Sequence, residues 1–88
     1  MSRAKRWTVE ILIHEDDGTT HAVARLDTSE DAHLHGHGTC RGADDPDDRA
    51  VVVAGHETAV AEALREVADK LTARASAVPG ARAGGRSA

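Results

Sequence analysis

Aromatic residues are almost absent from this chain of 88 residues, which has no Phe, no Tyr and a single Trp, Trp7. A core must therefore be built from Val, Ile, Leu and Ala, with Trp7 expected to join it. A domain of this size buries only roughly 60% of the surface that its unfolded chain exposes. Because a thin aliphatic core is marginal on its own, we expect a homodimer.

Cysteine and long apolar runs are scarce as well. Cys40 is the only cysteine, so no disulfide can form within one chain, which is typical of a reducing compartment. No apolar run approaches the ~20 residues that span a bilayer. No apolar segment follows the basic N-terminal residues as it does in a signal peptide. We therefore expect a cytoplasmic protein.

Acidic residues exceed basic ones, and the formal net charge is −4. Five cations lie in the two terminal segments, and without them the rest of the chain carries −9. Because proteins bind phosphate backbones largely through Lys and Arg, we expect direct RNA binding to be weak and DNA and membrane binding to be absent. The five terminal cations are Arg3, Lys5, Arg6, Arg82 and Arg86.

An Asp-Asp-Gly-Thr turn at residues 16–19 separates two β-rich segments and predicts a hairpin, because Gly accepts the positive φ of tight hairpin loops. Period-two alternation predicts strands over residues 6–14, 20–27 and 32–41. On the third strand, Gly36 and Gly38 share a face with Cys40, which we expect to be a small buried residue. Two glycines on one strand face indicate the close approach of a helix.

From about residue 56 to 77 the apolar period changes to 3.6, which predicts a helix ended by Pro79 and Gly80. The three valines at 51–53 predict an extended lead-in or an edge strand, which two copies of a dimer could exchange. The predicted core-facing stripe comprises Val60, Leu64, Val67, Ala68 and Leu71.

These patterns predict an α+β fold, in which a three-stranded antiparallel β-meander precedes a C-terminal α-helix. Residues 1–5 are predicted to be a flexible basic arm, residues 6–78 a single β-β-β-α domain, and residues 79–88 a disordered tail.

Three histidines alternate along the third predicted strand and offer the clearest candidate for site chemistry. His33, His35 and His37 share one strand face, and His-x-His on a strand can bind a metal ion. The outer two lie roughly 13 Å apart at ~3.3 Å per residue, so they cannot share one ion. A solvent-exposed histidine face, a metal site with a further ligand and a pH-responsive patch all remain open. We expect no bound metal or cofactor.

Five segments carry a family resemblance in the same order along residues 7–72. They are Trp7-Thr8-Val9-x-Ile11-x-Ile13-x-Glu15, Gly18-x-Thr20-x-Ala22-x-Ala24-Arg25-Leu26, Leu34-x-Gly36-x-Gly38, Pro46-x-Asp48-Arg49-x-Val51 and Gly55-x-Glu57-x-Ala59-Val60-Ala61-x-Ala63-Leu64. In these segments the chain resembles a family of small actinobacterial proteins of unknown function, some of which are associated with dormancy or hypoxic stress. The resemblance implies an intertwined dimer with helices packed on the sheet, similar in fold to ribosome hibernation-promoting factors and double-stranded RNA-binding domains.

The sequence favours a non-enzymatic cytoplasmic protein. The resemblance implies a stress or dormancy role and association with the ribosome or a ribosomal protein. The alternative is a dimeric interaction module that binds a basic protein partner, because an acidic body attracts basic surfaces. A third hypothesis is a histidine-rich metal-binding protein. No catalytic residues are identified. The candidates for partner binding are Arg3, Lys5, Arg6, Arg25 and Arg41.

Overall fold

Three antiparallel strands and one long helix form the described part of the chain. A computed structural model describes residues 3–30, 32–42 and 47–80. The sheet order is β1-β2-β3, which confirms the predicted α+β fold of a meander followed by a C-terminal helix. The elements are β1 (Thr8–Asp16), β2 (Thr19–Asp27), β3 (His33–Arg41) and α1 (Arg49–Ser76).

The terminal predictions fall largely outside these ranges. Residues 1–2 of the basic arm and 81–88 of the tail are not described, and neither are residues 31 and 43–46. Residues 3–7 belong to no strand or helix. No helix within 3–30, 32–42 or 47–80 is long and apolar enough to cross a membrane.

The hairpin between β1 and β2 has a loop of only two residues. Asp17 and Gly18 adopt φ values of 53° and 77°, and two consecutive positive φ values are the mark of the tight turns that fit the twist of a hairpin. Pairing therefore continues to Asp16 and Thr19. For that reason β1 ends two residues later than the predicted span of 6–14. The strand also begins two residues later than predicted, at Thr8.

The glycines of β3 lie under the helix, as their pairing on one strand face predicted. A β-carbon at Gly36 would overlap the carbonyl oxygen of Ala63, and one at Gly38 would overlap that of Ala59. The helix can approach this closely because the strand has glycine at these positions and the helix has alanine. The buried core is correspondingly small: Ala22, Ala24, Leu26, Ala59, Ala63 and Val67.

The predicted start of the helix and the predicted role of the three valines at 51–53 are wrong. The helix begins at Arg49, so these valines lie in its first turns, and no extended lead-in is available for exchange between copies. The side chain of Asp48 caps the helix by accepting a hydrogen bond of 3.3 Å from the backbone N–H of Val51. Such a cap satisfies one of the donors that a helix leaves unpaired at its start, and here it outweighs the weak helix propensity of valine.

The predicted core stripe of the helix is also displaced. Of its five members only Val67 is buried, while Leu64 is 40% exposed and Ala68 is exposed. Ala59 and Ala63 take the central positions because the helix rests on glycines, and a larger side chain would hold it away. Apart from Val67, the large apolar residues of the stripe therefore lie beside the contact rather than in it.

Candidate functional site

The side of β1 that faces the helix layer is largely uncovered by the described residues. Val9, Ile11 and Ile13 pair with core residues of β2, so their side chains lie on the same side of the sheet as α1. The helix lies over β2 and β3 and barely reaches β1. Val9 and Ile13 consequently remain 47% and 46% exposed. Trp7, expected in the core, is 46% exposed, because nothing in the described chain covers this end of the sheet.

The outer edge of β3, in contrast, is closed by polar side chains of α1. Glu62 and Glu66 accept hydrogen bonds of 2.9 and 2.7 Å from the backbone N–H groups of Thr39 and His37. Lys70 donates one of 2.6 Å to a carbonyl oxygen of the same strand. Unpaired strand edges recruit further strands, so these contacts protect the edge. The outer edge of β1 receives no comparable hydrogen bond from the described residues.

These hydrogen bonds also affect the pKa of Glu66. The backbone N–H of His37, and secondly the ammonium group of Lys70 at 3.3 Å, lower the pKa of the Glu66 carboxyl group. Glu66 and Lys70 have the i,i+4 spacing that favours ion pairs on a helix, and their pair lies at the edge of β3.

The exposed apolar side chains of β1 form one strip, and a second apolar strip runs along α1. This second strip lies on the flank of the helix that faces away from the edge of β3. Successive residues turn by about 100° around an α-helix, which places the four residues of this strip together. Val53 and Leu64 are 44% and 40% exposed, and Val60 and Leu71 are partly buried against the core. The strip consists of Val53, Val60, Leu64 and Leu71.

The two strips adjoin, and a contact between His56 and Glu15 ties the helix to the end of β1. The imidazole Nε2 lies 2.5 Å from the Glu15 carboxylate. The apolar flank of the helix stands at an angle to the exposed face of β1, and the two surfaces meet along one side. We name this surface the apolar step: Val9, Ile11 and Ile13 of β1 with Val53, Val60, Leu64 and Leu71 of α1.

No element of residues 3–30, 32–42 or 47–80 covers the opposite side of the sheet, which carries five of the six histidines. His14 lies opposite His21 on β1 and β2, with ring centres 6.5 Å apart. The three histidines of β3 are exposed and share this side, as their alternation predicted. We name this surface the histidine face: His14, His21, His33, His35 and His37.

The metal candidates share a face without forming a chelate of three ligands. Across the described ranges, no group of three or more His, Cys, Asp or Glu side chains could hold a metal ion. The ring of His33 hydrogen-bonds to Asp27, which is the main reason that the pKa of the Asp27 carboxyl group is lowered. Arg25 also contacts Asp27 at 3.1 Å and lies opposite His35.

The five basic candidates for partner binding form no single basic surface. Lys5 pairs with Glu30 and lowers the pKa of that carboxyl group, and Arg25 pairs with Asp27. Arg41 ends β3, at the far end of the sheet from Lys5. Arg3 and Arg6 are exposed and lie before the first strand. The local positive charge is therefore dispersed and partly neutralised.

A cavity of about 490 Å³ lies between the hairpin turn and the first turns of α1. Its lining includes the buried Thr20 and the half-buried Cys40, which is less enclosed than predicted because the helix above it has a glycine, Gly55. The Cys40 thiol contacts a backbone carbonyl oxygen at 3.5 Å. Among the described residues, no hydrogen bond joins this thiol to an imidazole or a carboxylate, and none of the three carboxyl groups with lowered pKa lines the cavity.

The sequence analysis did not predict two features of the surface. The closed edge of β3 has a detectable signal: Glu62, Glu66 and Lys70 follow an i,i+4,i+8 row beside the alanines that contact the sheet. The pairing of His14 with His21 depends on the register of the hairpin, which the length of the turn decides.

Comparison with known proteins agrees with this architecture. The profile of the Rv2632c-like family matches residues 5–85. The crystal structure of Rv2632c is 36% identical in sequence and has a TM-score of 0.71, with 86% of this chain and 87% of that chain covered. No curated protein gave a match. A profile match over nearly the full length shows that the chain belongs to the Rv2632c-like family.

Proposed function

We propose that this protein is a non-enzymatic interaction module that functions as a homodimer joined through the apolar step. The observation that carries the proposal is the exposure of Val9, Ile13 and Leu64 at 47%, 46% and 40% on two adjoining elements. Contiguous apolar patches of this kind are uncommon on monomers and mark interaction sites. The small core of alanines, one leucine and one valine gives the chain a further reason to bury this surface.

The shape of the apolar step suits a second copy of the same chain. A two-fold axis would place the helix flank of each copy on the bare β1 face of the other, so that Leu64 meets Ile11 and Ile13 twice. An isologous contact of this type uses the same surface on both copies and closes on itself. The helices would then cover one another's strands without any exchange through residues 51–53.

A pair of aspartate variants tests this arrangement. Leu64→Asp places a charge in the proposed interface, and burying an unpaired charge is costly. Leu12→Asp is the matched control, because Leu12 is 64% exposed on the histidine face. Light scattering after size-exclusion chromatography should give a monomer mass for Leu64→Asp and a dimer mass for Leu12→Asp and for the wild type, with helical circular dichroism retained in all three.

A dimer mass for Leu64→Asp would contradict the proposed interface. An equal loss of dimer in both variants would show that the contact lies elsewhere. Because Leu64 is half-exposed in the single chain, we expect the variant to stay folded as a monomer.

We infer that the partner of this dimer is a basic protein surface, and a ribosomal protein in a stress or dormancy response is the specific form of this hypothesis. The −9 charge of the chain without its terminal cations supports a basic protein over RNA at neutral pH. The neutralisation of Lys5 and Arg25 by Glu30 and Asp27 supports the same choice.

Sedimentation through sucrose gradients tests the ribosomal hypothesis. Wild-type protein added to ribosomes at low salt should migrate with them and dissociate as salt screens the charges. Co-migration that disappears after the ribosomal proteins are removed supports a protein contact. Protein that stays at the top of the gradient, from growing and from starved cells alike, would contradict ribosome association while leaving the dimer proposal intact.

A further inference from the structure

We propose that the histidine face binds single-stranded polynucleotides under mildly acidic conditions. Five of six histidines lie on this side of the sheet, and the described residues place no other element over it. This surface is separate from the apolar step, which lies on the other side of the same sheet. The proposal therefore does not depend on dimerisation.

The imidazole rings are distributed across three neighbouring strands. Alternate residues on β3 lie about 6.6 Å apart along the strand, and the rings of His14 and His21 are 6.5 Å apart across strands. Unstacked bases bind open sheets by stacking on aromatic rings, histidine included, and on arginine guanidinium groups. Arg25 lies on the same face, opposite His35, and supplies such a group.

The formal charge of this face changes sign with the protonation of its histidines. Three carboxylates and two guanidinium groups lie on the sheet beside the imidazoles, so the face carries −1 when its histidines are neutral and +4 when all five are charged. Histidine is the residue type that changes charge between about pH 5 and 8. The fixed charges on the sheet are Glu10, Asp16, Asp27, Arg25 and Arg41.

Three further charged groups border the face at the edge of β3: Glu62, Glu66 and Lys70. Glu66 lies 3.9 Å from the ring of His37, and Lys70 pairs with Glu66. The ammonium group of Lys70 offsets the carboxylate of Glu66. Glu62 then leaves a net −1 at the edge, so the total is −2 with neutral histidines and +3 with charged ones. The edge therefore leaves the sign of the reversal unchanged.

The combination of rings and cations favours a polynucleotide over an acidic peptide. A charged imidazole can meet a phosphate oxygen and present its ring to a base, whereas a peptide carboxylate uses only the charge. At neutral pH the negative face repels phosphates, in agreement with the weak RNA binding expected from the net charge.

Fluorescence anisotropy with a labelled 15-residue oligouridylate tests this proposal on the full chain. At 50 mM salt, the affinity should be at least tenfold higher at pH 5.5 than at pH 7.5. If about four phosphates are neutralised, log affinity at pH 5.5 should fall with log salt at a slope of about −3, since each phosphate contributes roughly −0.7 in single strands.

Histidine variants locate the site. The double change His35→Asn and His37→Asn should lower the affinity at pH 5.5 at least fivefold. The change His21→Asn, on the neighbouring strand β2, should also lower the affinity. His56→Asn is the control, because His56 lies on α1 and contacts Glu15 on the other side of the sheet. Circular dichroism at pH 5.5 verifies that each variant is folded.

Three results would overturn the proposal. The first is equal affinity at the two pH values. The second is a loss for His56→Asn as large as that for His35→Asn with His37→Asn. The third is equally tight binding of a 15-residue polyglutamate, which would show attraction by charge alone and an acidic protein as the partner. Retention of binding by the monomeric variant Leu64→Asp would support the independence of the two surfaces.

Discussion

Replacing Gly38 by alanine is expected to destabilise this protein far more than one methyl group suggests. A β-carbon at this position would overlap the carbonyl oxygen of Ala59 and lie 2.7 Å from Cβ of Glu62 and 2.9 Å from the backbone nitrogen of Ala63. Real β-carbons make contacts of about 3.4 Å or more, so the helix must move away. Because the obstructing atoms belong to the helix backbone, no side-chain rotation can relieve the overlap.

The cost of this movement follows from the contact that it loosens. Overpacking a core by a methylene group costs roughly 1–3 kcal/mol. We expect the upper end of that range for Gly38→Ala, since the displacement also separates Ala59 and Ala63 from the sheet. Domains of this size have a free energy of unfolding at or below the lower part of the usual ~5–15 kcal/mol, so the variant should lose a large fraction of its stability.

A second glycine provides a control of opposite sign. Gly55 lies within α1, and a β-carbon there would meet only Sγ of Cys40, at 3.8 Å. Alanine is favoured over glycine inside a helix by about 0.8–1 kcal/mol, so Gly55→Ala should stabilise the protein. Urea denaturation followed by circular dichroism measures both variants. Equal stabilities of Gly38→Ala and the wild type would refute the close approach of α1 to β3.

Three further predictions concern the helix start and the closed edge. Asp48→Ala should lower the free energy of unfolding by about 1 kcal/mol, because the helix loses its cap on Val51, as urea denaturation will measure. Glu62→Ala combined with Glu66→Ala should uncover the β3 edge and speed aggregation at micromolar concentration, whereas light scattering of Glu57→Ala, on the exposed side of the helix, should match the wild type. The folded protein lowers the pKa of Glu66 below its ordinary value of 4.5, so its stabilising effect is present above that pH and is lost as the pH falls through the lowered pKa. Acid denaturation of Glu66→Gln should therefore be less steep than that of the wild type.

Local signals explain what the sequence predicted well. The hairpin depends on Asp17 and Gly18, whose conformations are decided within the turn itself. The alternation on β3 placed its three histidines on one face because the side-chain period of a strand is fixed at two. Gly36 and Gly38 predicted the helix crossing, because glycines on one strand face often mark the close approach of another backbone.

The face of the helix could not be predicted from apolar size. The patterns selected Val60 and Leu64 as the contact face because large apolar residues usually fill a core. The glycines of β3 instead require Ala59 and Ala63 at the contact, which moves the larger residues to the flank. Because alanines rather than larger residues lie at the contact, the helix sits over β2 and β3. The exposed side of β1 and the helix flank then form the apolar step.

The remaining features depend on residues that lie far apart in the chain. Closure of the β3 edge joins Glu62 to Thr39 and Glu66 to His37, and no local pattern reports such a match. The histidine face extends to β1 and β2 only once the register sets His14 opposite His21.

Sedimentation equilibrium of the wild-type protein tests the central claim, that the apolar step joins two copies, most directly. Between about 1 and 100 µM, the protein should sediment as a species of twice the 9.2 kDa chain mass, with dissociation only at the lowest concentrations. A single folded species of 9.2 kDa throughout this range would contradict the account, because it would show that the chain is stable with its half-exposed apolar step in water.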